Sequence, residues 1–245
     1  MGLAAGDYDR DDHVDLYVTN LVMDGGEVLL QGQGDGTFVD QSLAATAIAG
    51  LEDERDSSWG AQFVDFDRDG WLDLFVAYGS WRDYVRPSPN ALLQGRDGSF
   101  SLVDDSGVNG RLASSEGAVA LDYDLDGCID LAVQNSDGQP ELYRNTCRDD
   151  NQWLGFRLQG TTSNRDAVGA VVRLDTSDGP QRRTVRAGST AVYSSSWKTL
   201  HFGIPKAAQL LGATVTWPTG VVEDLGTPET GAYLQVVEGQ GIQED

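Results

Sequence analysis

Short apolar segments of strand length alternate with clusters of aspartate and glycine over the first 145 residues. The clearest segments are Leu16-Tyr17-Val18-Thr19, Leu74-Phe75-Val76-Ala77-Tyr78 and Leu131-Ala132-Val133, which are too short for helices and rich in strand-forming residues. The pattern predicts buried β-strands separated by tight turns. Thirty glycines and the lack of a long helical period extend the prediction of an all-β fold to the whole chain.

Each of these segments follows the same acidic loop, which has aspartate at positions 1, 3, 5 and 9. The first aspartates of the loops, Asp7, Asp65 and Asp122, are spaced 58 and 57 residues apart, and a glycine lies five residues before each. Recurrence at such a period indicates a repeat architecture. About four short strands per unit is the content of one β-propeller blade.

The acidic loops have the residue types of a calcium site. So many carboxylates within nine residues repel one another unless a cation lies among them, and Ca²⁺ takes 6–8 oxygen ligands at about 2.3–2.6 Å. We therefore predict up to three Ca²⁺ sites, with a backbone carbonyl ligand from position 7 and an outward-pointing side chain at position 4. The predicted ligands are Asp7, Asp9, Asp11, His13 and Asp15 in loop one, Asp65, Asp67, Asp69, Trp71 and Asp73 in loop two, and Asp122, Asp124, Asp126, Cys128 and Asp130 in loop three.

Two other interpretations of the loops compete with calcium binding. An EF-hand needs a glutamate at position 12 and flanking helices, whereas position 12 is Val18, Val76 or Val133 here. Solvated turns without a metal are an alternative for one loop, and three evenly spaced copies argue against it. Asp12 stands where the other two loops have glycine, and aspartate tolerates the left-handed conformation, so we expect a weaker site in loop one.

Charge and termini limit the expected partners. The formal charge is −22, and three Ca²⁺ would raise it only to −16, which argues against nucleic acid and anionic lipid. No run of 18 apolar residues predicts a membrane span, and the first residues lack the features of a signal peptide. Because the chain begins within a repeat, we expect it to be the C-terminal part of a longer protein.

The two cysteines predict a disulfide. Asp137-Gly138 has the signal of a two-residue hairpin turn, and in that register the numbers of paired residues sum to 275, which places Cys128 opposite Cys147. Opposed cysteines lie within bridging distance. A bridge would favour an exporting compartment, whereas two isolated thiols are the alternative.

The repeats resemble FG-GAP/VCBS repeats, which form the β-propellers of integrin α-subunits and of many bacterial secreted proteins. The resemblance covers about residues 1–145 and implies that the loops bind calcium. We place the propeller repeats at 1–148, with units at about 1–55, 56–112 and 113–148. Since propellers close with about 4–8 blades, three blades predict a partial propeller. The apolar surfaces at its two open edges would need to be covered by the second domain, by another copy of the chain or by missing N-terminal repeats.

The remaining segment, 149–245, resembles the ASPIC/UnbV domain. The resemblance rests on segments such as Asn151-Gln152-Trp153-Leu154, Val185-Arg186-Ala187-Gly188 and Leu200-His201-Phe202-Gly203. Alternating apolar residues predict a small β-sandwich or barrel, with Pro180 ending a strand pairing. Together the two resemblances imply a calcium-binding adhesion or matrix-type module, extracellular or periplasmic, with a protein or glycan ligand.

Catalytic chemistry is not recognisable, so we predict that the chain is not an enzyme. His201 lies between apolar residues and is expected to be structural, and the ring of His13 is expected to be exposed. No G-x-S-x-G, C-x-x-C, H-E-x-x-H or phosphate loop occurs. A secreted enzyme or carbohydrate-active protein on a propeller scaffold is the alternative. The insertion at 79–90 is predicted to be a surface loop, with ligand contact through Trp81 and Tyr84 as its alternative.

Overall fold

Every regular element that the structure describes is a β-strand, which confirms the predicted all-β class. A computed structural model describes residues 2–20, 26–45, 57–79, 88–109, 112–136, 138–188 and 194–243. The insertion residues Trp81 and Tyr84 lie outside these ranges. Among the described elements there is no helix with the length and hydropathy needed to cross a membrane.

The three predicted repeats form three antiparallel sheets whose strands follow the order of the chain. The first holds β1 (Leu3–Gly6), β2 (Asp15–Val18), β3 (Val28–Gly32) and β4 (Phe38–Asp40). The second holds β5 (Ser58–Val64), β6 (Asp73–Tyr78), β8 (Ala91–Arg96) and β9 (Ser99–Leu102), and the third holds β11 (Ser115–Leu121), β12 (Asp130–Asn135) and β13 (Glu141–Tyr143). Two short strands, β7 (Ser88–Pro89) and β10 (Leu112–Ala113), pair separately.

Neighbouring sheets pack through apolar side chains from their facing surfaces. Between the first and second sheets, Tyr8, Phe63 and Phe100 form an aromatic cluster with ring centroids 5.4 to 6.2 Å apart. Between the second and third, Phe75 and Leu131 belong to one buried cluster. Each such side chain contributes about 1.5–3 kcal/mol of burial free energy, so the packing between blades stabilises the arrangement.

The C-terminal segment forms two further sheets that share one apolar core, which includes Phe156, Phe202 and Trp217. One sheet has the order β17 (Leu200–Ile204), β14 (Gln152–Gln159), β20 (Tyr233–Val237) and β21 (Gly241–Ile242), with β14 and β20 parallel. The other has the order β16 (Gly179–Thr184), β15 (Val171–Thr176), β18 (Leu210–Thr216) and β19 (Val222–Gly226).

The described residues therefore form a β-propeller arrangement of five blades, and the prediction of three blades is too low. The two additional blades are the sheets of the segment for which a sandwich or barrel was expected. No acidic loop marks them, so the repeat period does not reveal them. The predicted domain boundary at 148 falls between β13 and β14.

Two local predictions differ from the structure in register. Pro180 does not end a strand pairing but lies within β16 opposite Asp175, because β16 is an edge strand on which a missing N–H is tolerated. The Cys128–Cys147 disulfide is present, with Cα atoms 5.8 Å apart. However, Val133 pairs with Glu141, one residue short of the predicted register, and Asp137 of the expected turn lies outside the described residues.

Candidate metal centres

Each acidic loop joins the first strand of its blade to the second, and its last aspartate begins the second strand. This aspartate is buried in all three loops. Asp15 accepts backbone hydrogen bonds from Tyr8 N at 3.0 Å and Gly32 N at 2.8 Å, and Asp73 and Asp130 accept the equivalent pairs. The position-9 carboxylate therefore ties the start of its loop to the third strand of the blade.

Left-handed backbone conformations at positions 4 and 6 turn the loops. The position-4 residues have φ between 57° and 61°, and Asp12 at position 6 has φ 70° where the other loops have glycine. The Asp12 amide donates to Asp7 Oδ2 at 3.2 Å, as the position-6 glycines do to the first aspartates of their loops. Loop one thus keeps the geometry of the other two, because aspartate tolerates this conformation.

The structure brings the aspartates at positions 1, 3 and 9 together in every loop. Carboxylate oxygens within 4.8 Å of one another come from Asp7, Asp9 and Asp15, from Asp65, Asp67 and Asp73, and from Asp122, Asp124 and Asp130. The position-5 aspartates instead accept hydrogen bonds from the position-7 amides, as Asp11 does from His13 N at 2.8 Å. Ligation by position 5, and by the carbonyls of His13, Trp71 and Cys128, stays a prediction.

Incompletely paired, buried carboxylates make loops one and two suited to a cation. Asp9 Oδ1 and Asp65 Oδ1 are buried and have no hydrogen-bond partner in the described part of the chain. Burial raises the pKa of Asp7 to about 6 and those of Asp15 and Asp65 to about 7, and neighbouring aspartates add to the rise. A cation relieves both burial and repulsion, and an all-oxygen donor set is the one that Ca²⁺ prefers.

Loop three differs because an arginine reaches its position-3 carboxylate, whereas in loop two Arg96 pairs with the position-5 Asp69 at 3.3 Å. Arg144 Nε donates to Asp124 Oδ2 at 2.8 Å, and another guanidinium nitrogen donates to Asp126 Oδ2 at 3.0 Å. At the matching place in the first two blades, Gln31 and Gln94 each donate to the position-3 carboxylate at 2.5 Å. The third cluster is therefore partly neutralised by the chain itself.

The C-terminal sheets lie directly on the acidic loops, a contact that sequence reasoning missed. Gly203 N donates to Asp65 Oδ2 at 3.0 Å, and the Tyr233 hydroxyl donates to Asp122 Oδ2 at 2.7 Å. A Cβ at Gly203 would lie 2.2 Å from the Cα of Arg68, so only glycine permits this approach. Two first-position carboxylates of the clusters are thus held by the C-terminal segment as well as by their own loops.

The position-4 side chains of loops one and two point into this contact, so the prediction that they point outward is wrong for them. Arg68 pairs with Asp149 at 2.7 Å, and Arg10 pairs with Asp178 at 3.2 Å. Leu125 of loop three is more than half exposed and does point outward. The sequence offered a weak signal for the contact between the C-terminal sheets and the loops. Two arginines stand at equivalent loop positions in an otherwise acidic chain.

Each histidine has one ring nitrogen close to an oxygen atom of the chain. His201 Nε2 lies 3.1 Å from the Gly127 carbonyl oxygen, and its ring stacks on Trp153 with centroids 5.6 Å apart. Burial lowers the pKa of His201 to about 3, so the ring is neutral at pH 7. His13 is partly exposed, and its Nδ1 lies 3.2 Å from Asp11 Oδ2.

Comparison with known families and proteins supports both resemblances. An FG-GAP-like repeat matches residues 7–76, and ASPIC and UnbV matches residues 160–243. Cartilage acidic protein 1 of Homo sapiens is 24% identical over 275 aligned positions, which cover 87% of this chain and 40% of that protein. The Mus musculus protein of the same name is 23% identical, over 88% of this chain and 42% of its own length. The chain thus spans about two fifths of the length of these homologues.

Proposed function

We propose that this homologue of cartilage acidic protein 1 is a calcium-binding module of an extracellular, matrix-type protein. The observation that carries the proposal is the recurrence of one carboxylate cluster, with the same three loop positions, in three successive blades. In each copy the same three carboxylates converge although like charges repel one another, and a bound cation would offset that repulsion. The all-oxygen donors and the unpartnered buried oxygens of Asp9 and Asp65 support Ca²⁺ as the ligand.

The residues that would hold each ion are the carboxylates at positions 1, 3 and 9, with position 5 and the position-7 carbonyl completing the set. A bound Ca²⁺ would supply the positive charge that buried, mutually repelling carboxylates lack. Loops one and two should bind more tightly than loop three, because Arg144 pairs directly with the position-3 carboxylate of the third cluster, where the first two clusters have a neutral glutamine.

Calorimetric titration of the chelator-treated protein with CaCl₂ tests this proposal. Dissociation constants of about 10⁻⁴–10⁻³ M are typical of extracellular modules, and calcium should raise the melting temperature. Asp67→Asn should remove the heat of one site, whereas Asp97→Asn, at an exposed turn outside the loops, should leave all of them. Absence of calcium heat, together with melting that a chelator leaves unchanged, would exclude the proposal.

The extracellular assignment is supported by the disulfide, since such bonds persist in oxidising compartments. It is also supported by the homologues, which are named as proteins of cartilage. An adhesion role rests on the family resemblance, with a protein or glycan as the ligand class. In the described residues nothing favours the enzyme alternative, and the one buried histidine is neutral and bonded to a backbone carbonyl. Binding of the purified chain to a matrix-protein and glycan array, with and without calcium, tests adhesion.

A further inference from the structure

Three arginines of one chain segment line a cavity between the propeller repeats and the C-terminal sheets. Arg182 and Arg183 lie on β16, and Arg186 follows two residues after its end. The cavity has a volume of about 250 Å³. Its opposite wall comes from the first strands of the three repeat blades, and its apolar lining includes Trp197 and Leu200. A cationic wall is unexpected in a chain with a formal charge of −22.

Two of the three guanidinium groups of this wall lack a partner in the described part of the chain. Arg183 is the exception, because it donates to the carbonyls of Arg182 at 3.1 Å and Gly70 at 3.4 Å and to the Gln181 side chain, and the charge of Asp65 acts on it. Arg182 and Arg186 have no side-chain hydrogen bond or ion pair with any described residue. By contrast, arginines elsewhere in the chain, such as Arg68, Arg96, Arg144 and Arg173, are paired with aspartates.

The surroundings of Arg186 are unfavourable for a cation. Burial, with a smaller contribution from the neighbouring charges of Arg182 and Arg183, lowers the pKa of Arg186 to about 10. Among the described lining residues the carboxylate is Asp65, whose charge acts on Arg183, and no carboxylate contributes to the shift of Arg186. Buried cations that lack a partner are costly, so a group that neutralises them would be stabilising.

We infer that this cavity binds a small organic anion, with an oxyanion head at Arg182 and Arg186 and an apolar body against Trp197 and Leu200. Guanidinium groups present planar forks of N–H donors that match carboxylate and sulfate oxygens. A mainly apolar pocket with a few convergent charged groups is the usual form of a small-molecule site, and a volume of about 250 Å³ lies just below the usual range of about 300–1,000 Å³. The ligand class is therefore a compact carboxylate or sulfonate.

The test is calorimetric titration of the full chain with benzoate, benzenesulfonate and inorganic sulfate, each in calcium buffer and in chelator. Running both buffers separates this inference from the calcium proposal. We expect saturable binding of at least one aromatic anion, more tightly than inorganic sulfate. Arg186→Gln should weaken that binding by at least about tenfold, because it removes a charge-assisted contact. Arg165→Gln, which removes the same charge from an exposed turn, should change it less than about twofold.

Melting temperatures distinguish a ligand site from a structural role for the arginine. Without an anion, Arg186→Gln should melt no lower than the wild type, because a cation without a partner is removed, and it should lose the rise in melting temperature that the anion gives the wild type. Arg182→Gln carries the same two expectations if Arg186→Gln does not fold. No saturable binding by the wild type, or equal weakening by Arg165→Gln and Arg186→Gln, would overturn the inference.

Discussion

Replacing Gly203 with alanine tests the contact between the C-terminal sheets and loop two. The new Cβ would lie 2.2 Å from Arg68 Cα and 2.4 Å from both Arg68 C and Asp65 Oδ2. Two of these neighbours are backbone atoms, so no rotamer change relieves the overlap. The chain must separate there, and the hydrogen bond from Gly203 N to Asp65 Oδ2, now 3.0 Å, is then stretched or lost.

The expected cost follows from these two effects. Overpacking in a well-packed region costs about 1–3 kcal/mol, and a hydrogen bond to a charged group contributes about 1.5–3 kcal/mol. Because one displacement causes both losses, we expect a total of about 2–4 kcal/mol rather than the full sum. For a chain of this size that corresponds to a fall in melting temperature of about 5–15 °C.

Thermal unfolding followed by circular dichroism measures the effect, in calcium and in chelator. Gly212→Ala is the matched control, because its Cβ would meet only the Gly226 carbonyl oxygen at 3.5 Å, an ordinary contact. We expect Gly212→Ala to melt close to the wild type in both buffers. If Gly203→Ala also melts like the wild type, the sheets do not lie on loop two as described, and the reasoning from this contact is refuted.

Four further predictions concern the loops. Arg68→Ala should lower the free energy of unfolding by up to about 3 kcal/mol, because it breaks a largely buried ion pair. Leu125→Ala, at the exposed equivalent position of loop three, should lower it by less than about 0.5 kcal/mol. Urea unfolding of the two variants and the wild type measures both effects. Arg144→Gln should tighten calcium binding at loop three by up to about fivefold, the worth of an exposed ion pair, which calcium titration measures. Calcium affinity should fall as the pH drops from about 7 to 6, because the raised pKa values of Asp15 and Asp65 let protons compete with Ca²⁺ for these carboxylates. Calorimetry in buffers of different ionisation enthalpy would show the release of protons on calcium binding. The same pKa shifts predict that the carboxylates of Asp15 and Asp65 destabilise the metal-free protein as the pH rises through their folded pKa values. A melting temperature of the calcium-free protein that rises over that pH range would contradict the raised pKa values.

The strands and loops of the repeats were predictable because their causes are local. An aspartate loop followed by a short apolar run specifies a turn and a strand within about a dozen residues, and three copies reinforce one another. Even Asp12 was placed correctly, since its left-handed conformation follows from its position in the loop. The disulfide was predicted correctly although the strand register was wrong by one residue, because Cα atoms at 5.8 Å do not require an ideal hairpin.

The partners of the loops were not predictable, because they lie far along the chain. Arg68 and Asp149 are 81 residues apart in sequence, and Arg10 and Asp178 are 168 apart. Nothing in a local pattern says which charged residue meets which. The two C-terminal sheets were missed as blades for a related reason, since a blade without an acidic loop carries no repeated signal.

The position of the C-terminal sheets changes how a calcium requirement for adhesion should be interpreted. The first aspartates of all three loops are buried, with exposures of 4%, 1% and 2% for Asp7, Asp65 and Asp122, and two of them accept hydrogen bonds from the C-terminal segment. Ions held there would stabilise the contact between the repeats and this segment instead of being displayed to a ligand. A loosened contact would by itself account for a loss of the proposed adhesion in chelator, so such a loss would not show that a ligand touches the calcium.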